Sequence, residues 1–276
     1  MPQQTFFVEG TPGLAGWREG AGAPVVLLHG GPGLSFGYLR TVADELGHGF
    51  DLAAYQQRGL APSGESGPFT VAENVADLVR VLDHLGWGRA YVVGHSWGGH
   101  LALHAARSIP DRLLGALVVD PLGAVGDGGE KEFNDEMYAR TPEDVRARAM
   151  ELDEQMTRGE GGPEAALEGL RLVWPAYFPV WDDAPPMPPI SISPECFAQT
   201  NESAHELLPV LEASLGEIRL PVGFVHGEHS PMPRRASTEA AERIPRAWVE
   251  IVPGAGHFPW IDAPGSVRAA LERLLG

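Results

Sequence analysis

The chain has 276 residues, 43% apolar and 21% charged, enough for one large domain with a sizeable core, and these values exclude a wholly disordered chain. Twenty Lys and Arg against 37 Asp and Glu leave a formal charge of −17, with no clustered Lys/Arg run, which argues against nucleic acid and anionic membrane surfaces as partners. One cysteine, Cys196, excludes an internal disulfide and a multi-Cys metal site and suits a reducing compartment or indifference to redox.

The opening residues, MPQQTFFVEG, lack a basic stretch and an apolar core, so no signal peptide is expected. No apolar run approaches the ~20 residues of a membrane helix. A cytoplasmic location is the expectation. Residues 24–29 (PVVLLH) form a continuous apolar run that ends at a glycine pair and predicts a buried strand, as does 50–55. Residues 70–86 predict a helix: Thr70 and Glu73 make a T-x-x-E capping box, and Val71, Val75, Leu78, Val79, Leu82 and Leu85 share one face. Residues 90–94 and 113–120 predict strands, with a helix over 97–108 between them. This alternation means βαβ units and a parallel sheet, an α/β fold.

From about 122 to 216 the strand pattern stops. Charged helical stretches (141–158, 163–173) lead into WPAYFPVWDDAPPMPP at 174–189. The βα rhythm resumes at 220–226, followed by a helix near 235–244, a strand at 248–252 and a last helix over 264–275. The expected organisation is a core of residues 1–121 and 217–276, interrupted by a helical cap (lid) of residues 122–216 inserted after the strand ending at Asp120. Such an insertion sits over the carboxyl ends of the strands, where open α/β sheets bind ligands.

Gly94-His95-Ser96-Trp97-Gly98 is G-x-S-x-G between a predicted strand and a predicted helix. A serine on that sharp turn is strained and exposed above the sheet, with a helix N-terminus behind it. HGGPG (29–33) follows the first buried strand. Acyl transfer needs two N–H groups aimed at the developing oxyanion, and Gly31 and Trp97 are the candidates. His257, in Gly256-His257-Phe258, is the candidate general base. His95 points the wrong way for that task, and His100 and His104 could supply half a metal site, with no third ligand in sight.

Together HGGPG, YQQRG (55–59), GHSWGG (94–99), HGEHSPMP (226–233) and GAGHFPW (254–260) resemble the α/β-hydrolase superfamily. Within it the chain is similar to the capped branch of proline iminopeptidases, small esterases, lactonases, haloalkane dehalogenases and C–C bond hydrolases. The resemblance implies a triad acid at the position held here by Ser230, in a pattern like H-G-x-x-D. Serine cannot hold an imidazolium by charge. Some members carry the acid after the strand beyond the nucleophile helix, where this chain has Asp120, and Asp120 is therefore assigned as the relocated acid. Asp120 could instead cap its turn. Glu228 is the next candidate, then Asp127 and Asp262, the last better explained as an N-cap of the final helix. Arg58 reads as a structural residue fixing its loop.

The resemblance implies a serine hydrolase acting through an acyl-enzyme on Ser96, on an ester or lactone of a small to medium hydrophobic substrate. Trp174, Tyr177, Phe178, Trp181 and Phe258 are the candidate pocket residues, with Met187 and Trp260 nearby. No cofactor or metal is required, and a homodimer is compatible with the sequence. A proline-iminopeptidase-like aminopeptidase is the alternative. It would need carboxylates such as Glu130, Glu132, Glu202 or Glu206 to hold an α-ammonium. A non-catalytic ligand-binding member is the reading from another class. Epoxide hydrolase and dehalogenase chemistry would need a carboxylate where Ser96 stands.

Overall fold

The computed structural model describes residues 2–158 and 160–276. Eight strands form one sheet: β1 (Gln4–Val8), β2 (Leu14–Gly20), β3 (Gly22–Leu28), β4 (Gly49–Tyr55), β5 (Ala90–His95), β6 (Leu113–Val119), β7 (Val222–Gly227) and β8 (Ala247–Val252), in the order β1-β2-β4-β3-β5-β6-β7-β8. From β4 to β8 every pairing is parallel, and β2 alone runs against its neighbours. Sequence reasoning identifies the six parallel strands to within two residues and does not identify β1 or β2. β1 is the largely exposed edge strand and β2, beside it, is broken by glycine and charged residues, so neither shows a continuous apolar run.

Side chains alternate across the sheet. Val26, Leu28, Val92, Ala116, Val118 and Phe224 face one core layer, under helices α2 (Val71–His84) and α3 (Trp97–Ser108). Val25, Leu27, Leu52, Val93, Leu117, Val119 and Val225 face the other. Helix α1 (Leu39–Leu46) supplies Leu39, Val42 and Leu46 to that second layer. The capping box at α2 is realised in half. Thr70 Oγ1 accepts the Glu73 N–H at 3.2 Å, while the Glu73 carboxylate pairs with Arg58 at 2.8 Å.

Between β6 and β7 the described residues form four α-helices, α4 (Glu130–Arg140), α5 (Glu143–Thr157), α6 (Gly162–Val173) and α7 (Pro194–Ser214), and contribute no strand to the sheet. Three helices complete the chain: α8 (Arg235–Arg243), α9 (Pro259–Asp262) and α10 (Ser266–Leu275). The expected N-cap role of Asp262 is corrected. Gly265 precedes α10, and Asp262 Oδ2 instead accepts the Gly256 N–H at 2.8 Å, bracing the loop that carries His257. No helix among the described residues is long and apolar enough to cross a membrane.

Candidate active site

Five adjacent parallel strands each deliver one group at the carboxyl edge of the sheet. Gly31 follows β3, Ser96 follows β5, Asp120 follows β6, Ser230 follows β7 and His257 follows β8. With strands about 4.8 Å apart, groups remote in sequence become neighbours.

Ser96 sits at φ 55°, ψ −120°, a conformation that non-glycine residues rarely adopt. The turn closes because its flanks are glycine. A Cβ on Gly94 would lie 2.1 Å from the Gly98 carbonyl oxygen, and one on Gly98 2.2 Å from that of Leu28. Asp120 also has a positive φ, 45°. Such positions cost about 1–3 kcal/mol each and persist where the surrounding structure enforces them. Here backbone bonds do so: Ser96 N–H to Val119 at 2.9 Å and Asp120 N–H to Val225 at 2.7 Å.

Asp120 is fully buried. Its Oδ2 accepts the His257 Nδ1–H at 2.5 Å and the Ser230 hydroxyl at 2.5 Å; its Oδ1 accepts the Gly227 N–H at 3.2 Å and lies 3.2 Å from His226 Nδ1. Burial alone would raise the Asp120 carboxyl, but His226, His257 and the Ser230 hydroxyl outweigh it and hold the group below the usual carboxylate range. Since Asp120 occupies Nδ1, Nε2 is the His257 nitrogen left for a reacting proton. The His257 backbone is held at both ends, its N–H donating to the Tyr177 carbonyl and its C=O accepting from His95 Nε2, each at 2.9 Å.

The other acid candidates point elsewhere. Glu228 is partly exposed and accepts the Gly254 N–H at 3.0 Å, Asp127 pairs with Arg235 at 2.7 Å, and Asp262 holds Gly256. Arg58 is buried and forms a two-pronged pair with Asp77 at 2.7 and 2.9 Å, fastening the YQQRG loop. That loop braces the turn above it. Gln57 accepts the Trp97 indole N–H at 2.8 Å and donates to the His29 carbonyl at 3.1 Å.

Gly31, Ser96, Trp97 and His257 open onto one cavity of about 580 Å³. Neither the Gly31 N–H nor the Trp97 N–H has an acceptor among the described residues, and Trp97 begins α3, where first-turn N–H groups lack intrahelical partners. Trp174, Tyr177 and Phe258 line the cavity. Phe178 and Trp181 do not. Phe178 turns into the core against Trp174 and Phe258, at ring separations of 5.3 Å, and Trp181 lies in a half-buried turn off the cavity. Met187 also packs beside the core, and Trp260 stacks on Tyr38 at 6.3 Å. Sequence reasoning missed Met137, Leu152, Met156 and Leu170, which carry the cavity in among α4, α5 and α6. Helices α4 and α5 are too polar overall to announce an apolar lining.

His100 and His104 are buried with their Nε2 atoms 3.2 Å apart, and no group of three metal-ligating side chains occurs among the described residues. Glu130, Glu202 and Glu206 line the cavity; Glu132 instead pairs with Arg235.

A family model described as the alpha/beta hydrolase family matches residues 25–270. The chain is 39% identical over 107 residues to RutD of Caulobacter segnis, a protein provisionally named a carbamate hydrolase, but that alignment spans 38% of this chain and 39% of the relative. With the like-named protein of Caulobacter sp. (strain K31) it shares 28% identity over 256 residues, 91% of this chain and 90% of the other. The proline iminopeptidase of Mycobacterium smegmatis superposes with a TM-score of 0.69 at 20% identity, covering 99% of this chain and 97% of that one. With a matching profile over most of its length and a sheet of this topology, the chain belongs to the alpha/beta hydrolase family of enzymes.

Proposed function

We propose that the chain is a serine hydrolase that cleaves an ester or lactone of a small to medium hydrophobic substrate, with Ser96 as nucleophile, His257 as general base and Asp120 as the acid. The observation that carries this reading is the 2.5 Å contact between His257 Nδ1 and Asp120 Oδ2, with His257 and a serine held at φ 55° lining the same largely apolar cavity.

The chemistry follows from these roles. His257 Nε2 takes the Ser96 proton as Oγ attacks the carbonyl carbon. Asp120 keeps the imidazole in the needed tautomer and offsets its positive charge. The tetrahedral oxyanion forms against the Gly31 and Trp97 N–H groups, which have no competing acceptor among the described residues. His257 then returns the proton to the leaving alcohol, and water attacks the acyl-enzyme by the same route. In this reading residues 122–216 are a cap that encloses the acyl or ring portion between α4, α5 and α6.

The test is turnover of aryl esters and lactones, with fluorophosphonate labelling, by wild type, Ser96→Ala and Asp120→Asn. Labelling and turnover in wild type with loss of both in Ser96→Ala is the expected result. Full turnover by Ser96→Ala, or no wild-type labelling, would overturn the reading, the latter in favour of a binding protein.

A second reading, an aminopeptidase similar to proline iminopeptidases, is favoured by the Glu130, Glu202 and Glu206 carboxylates on the cavity wall, which suit an α-ammonium. Glu130 is already paired with His205 at 2.7 Å, which ranks this second. Faster cleavage of an aminoacyl-proline amide than of aryl esters would reverse the ranking.

A further inference from the structure

His95, beside the nucleophile, takes no part in the proton transfers above, yet it is 5% exposed and both its ring nitrogens are engaged. Nε2 lies 2.9 Å from the His257 carbonyl oxygen, and Nδ1 lies 2.9 Å from Tyr38 Oη. A carbonyl only accepts, so Nε2 carries the proton and Nδ1 is a bare acceptor. Tyr38 must then donate its hydroxyl proton to Nδ1. The remaining phenolic lone pair accepts the Gly30 N–H at 2.6 Å. Every donor and acceptor role in the chain Gly30–Tyr38–His95–His257 is thereby fixed.

The chain joins parts that sequence keeps far apart. Gly30 adjoins Gly31, the oxyanion donor of the proposed reaction. His95 adjoins Ser96, and His257 is the base. A Cβ on Gly30 would lie 3.0 Å from Ser96 Cβ and 3.1 Å from Tyr38 Oη, so turn, nucleophile and tyrosine are also in close packing.

We propose that Tyr38 and His95 are positioning residues that set the oxyanion turn and the catalytic histidine relative to one another. The proposal rests on the serine-hydrolase reading. Burial pushes the His95 imidazole down to about 3, and the neighbouring His257 adds to that, so His95 stays neutral while His257, 4.6 Å away ring to ring, gains and loses its charge. Burial also raises the Tyr38 phenol, keeping it a donor. A chain with fixed roles and no charge of its own orients the machinery without adding a field against the imidazolium.

Tyr38→Phe is the primary test, because it keeps the ring packed on Trp260 and Phe258 and removes one oxygen. The expected result is a fall in kcat of about 10- to 100-fold with KM within about twofold, since misplacing reacting groups by a fraction of an ångström acts on the transition state. His95→Phe falls in the same range. The double variant is expected to lose no more than the worse single, because both cut one chain. Unchanged kcat in Tyr38→Phe, or losses that multiply in the double, would overturn the proposal.

A measurement on the unaltered protein stands beside the kinetics. Imidazole nitrogen resonances of His95 are expected to report the neutral Nε2–H form from pH 5 to 8. Titration in that range, or an Nδ1–H form, overturns the chain. If wild type neither labels nor turns over esters, the hydrolase reading fails on its own terms, while the tautomer is still measured independently.

Discussion

Ser230 and His257 donate to the same oxygen. Asp120 Oδ2 accepts the Ser230 hydroxyl at 2.5 Å and the His257 Nδ1–H at 2.5 Å. The residue at the position where the family resemblance leads one to expect the acid thus serves the carboxylate one strand away. Asp120→Asn is expected to lower kcat about 10⁴-fold, because an amide permits the wrong imidazole tautomer. Ser230→Ala removes one donor and should cost about 3- to 10-fold. Since Ser230 helps hold the Asp120 carboxyl down, its loss raises that group, and the acid limb of the kcat profile should move to higher pH. Steady-state kinetics from pH 4 to 9 check both.

Ser230→Asp brings a second carboxylate against a buried one. Two like charges at that distance cannot both ionise cheaply. Lower activity than wild type is expected, with a melting temperature that falls between pH 5 and pH 8 relative to wild type. A variant as active as wild type would show that the site accepts the acid on either strand.

Four buried histidines make the fold acid-sensitive. Burial is the leading cause that pushes His29 and His100 down to about 4, His95 to about 3 and His104 to about 2. Above pH 6.5 they are neutral folded and unfolded, and their contribution is complete. Below it the unfolded chain binds protons that the folded chain refuses, so stability falls, by up to about 1.4 kcal/mol per pH unit for each histidine, until the folded values are reached. The midpoint of denaturant unfolding should drop steeply from pH 6.5 to 4.5. His104→Gln should flatten that slope; an unchanged slope would show that His104 does not contribute.

Arg58 is expected to matter for stability. It is 2% exposed and bound to Asp77, itself fully buried. Arg58→Ala leaves a buried carboxylate with Arg80, at 2.8 Å, as its remaining ion-pair partner among the described residues, and breaking such a pair costs about 3–5 kcal/mol. Urea unfolding should show that loss, with kcat reduced far less than in Asp120→Asn.

The inner wall of the cavity should set acyl length. Ala166 on α6 lines it together with Ala149 and Leu152 of α5. Ala166→Phe fills that end and is expected to lower kcat/KM for an octanoate ester at least about tenfold while acetate turnover stays within about twofold, a differential of ~1.4 kcal/mol or more. Equal losses on both esters would mean that the acyl chain lies elsewhere.

The residues of the site differ in how openly the sequence declares them. Ser96 and His257 stand in short motifs, and in the serine turn Gly94 is required by a contact only four residues away, with Gly98. Asp120 is legible only through the want of a carboxylate at Ser230. What brings the two together is that β6 and β7 are hydrogen-bonded neighbours. Tyr38 and His95 left no local sign, because their bonds span 57 and 162 residues.

By itself the sequence determined the alternation of buried strands and helices, the break in strand pattern between β6 and β7, the serine turn and the final histidine. Each is a pattern of nearest neighbours along the chain, where apolar periodicity and turn chemistry operate. Tertiary structure alone decided that Asp262 braces Gly256 instead of capping α10, that Phe178 and Trp181 turn away from the cavity, and that Ser230 and His257 share one oxygen. The aromatic placement follows from ring packing between distant segments, and the Asp262 and Ser230 contacts from which polar groups find partners, since a buried donor or acceptor left unpaired costs ~1–3 kcal/mol, more than local propensity can supply.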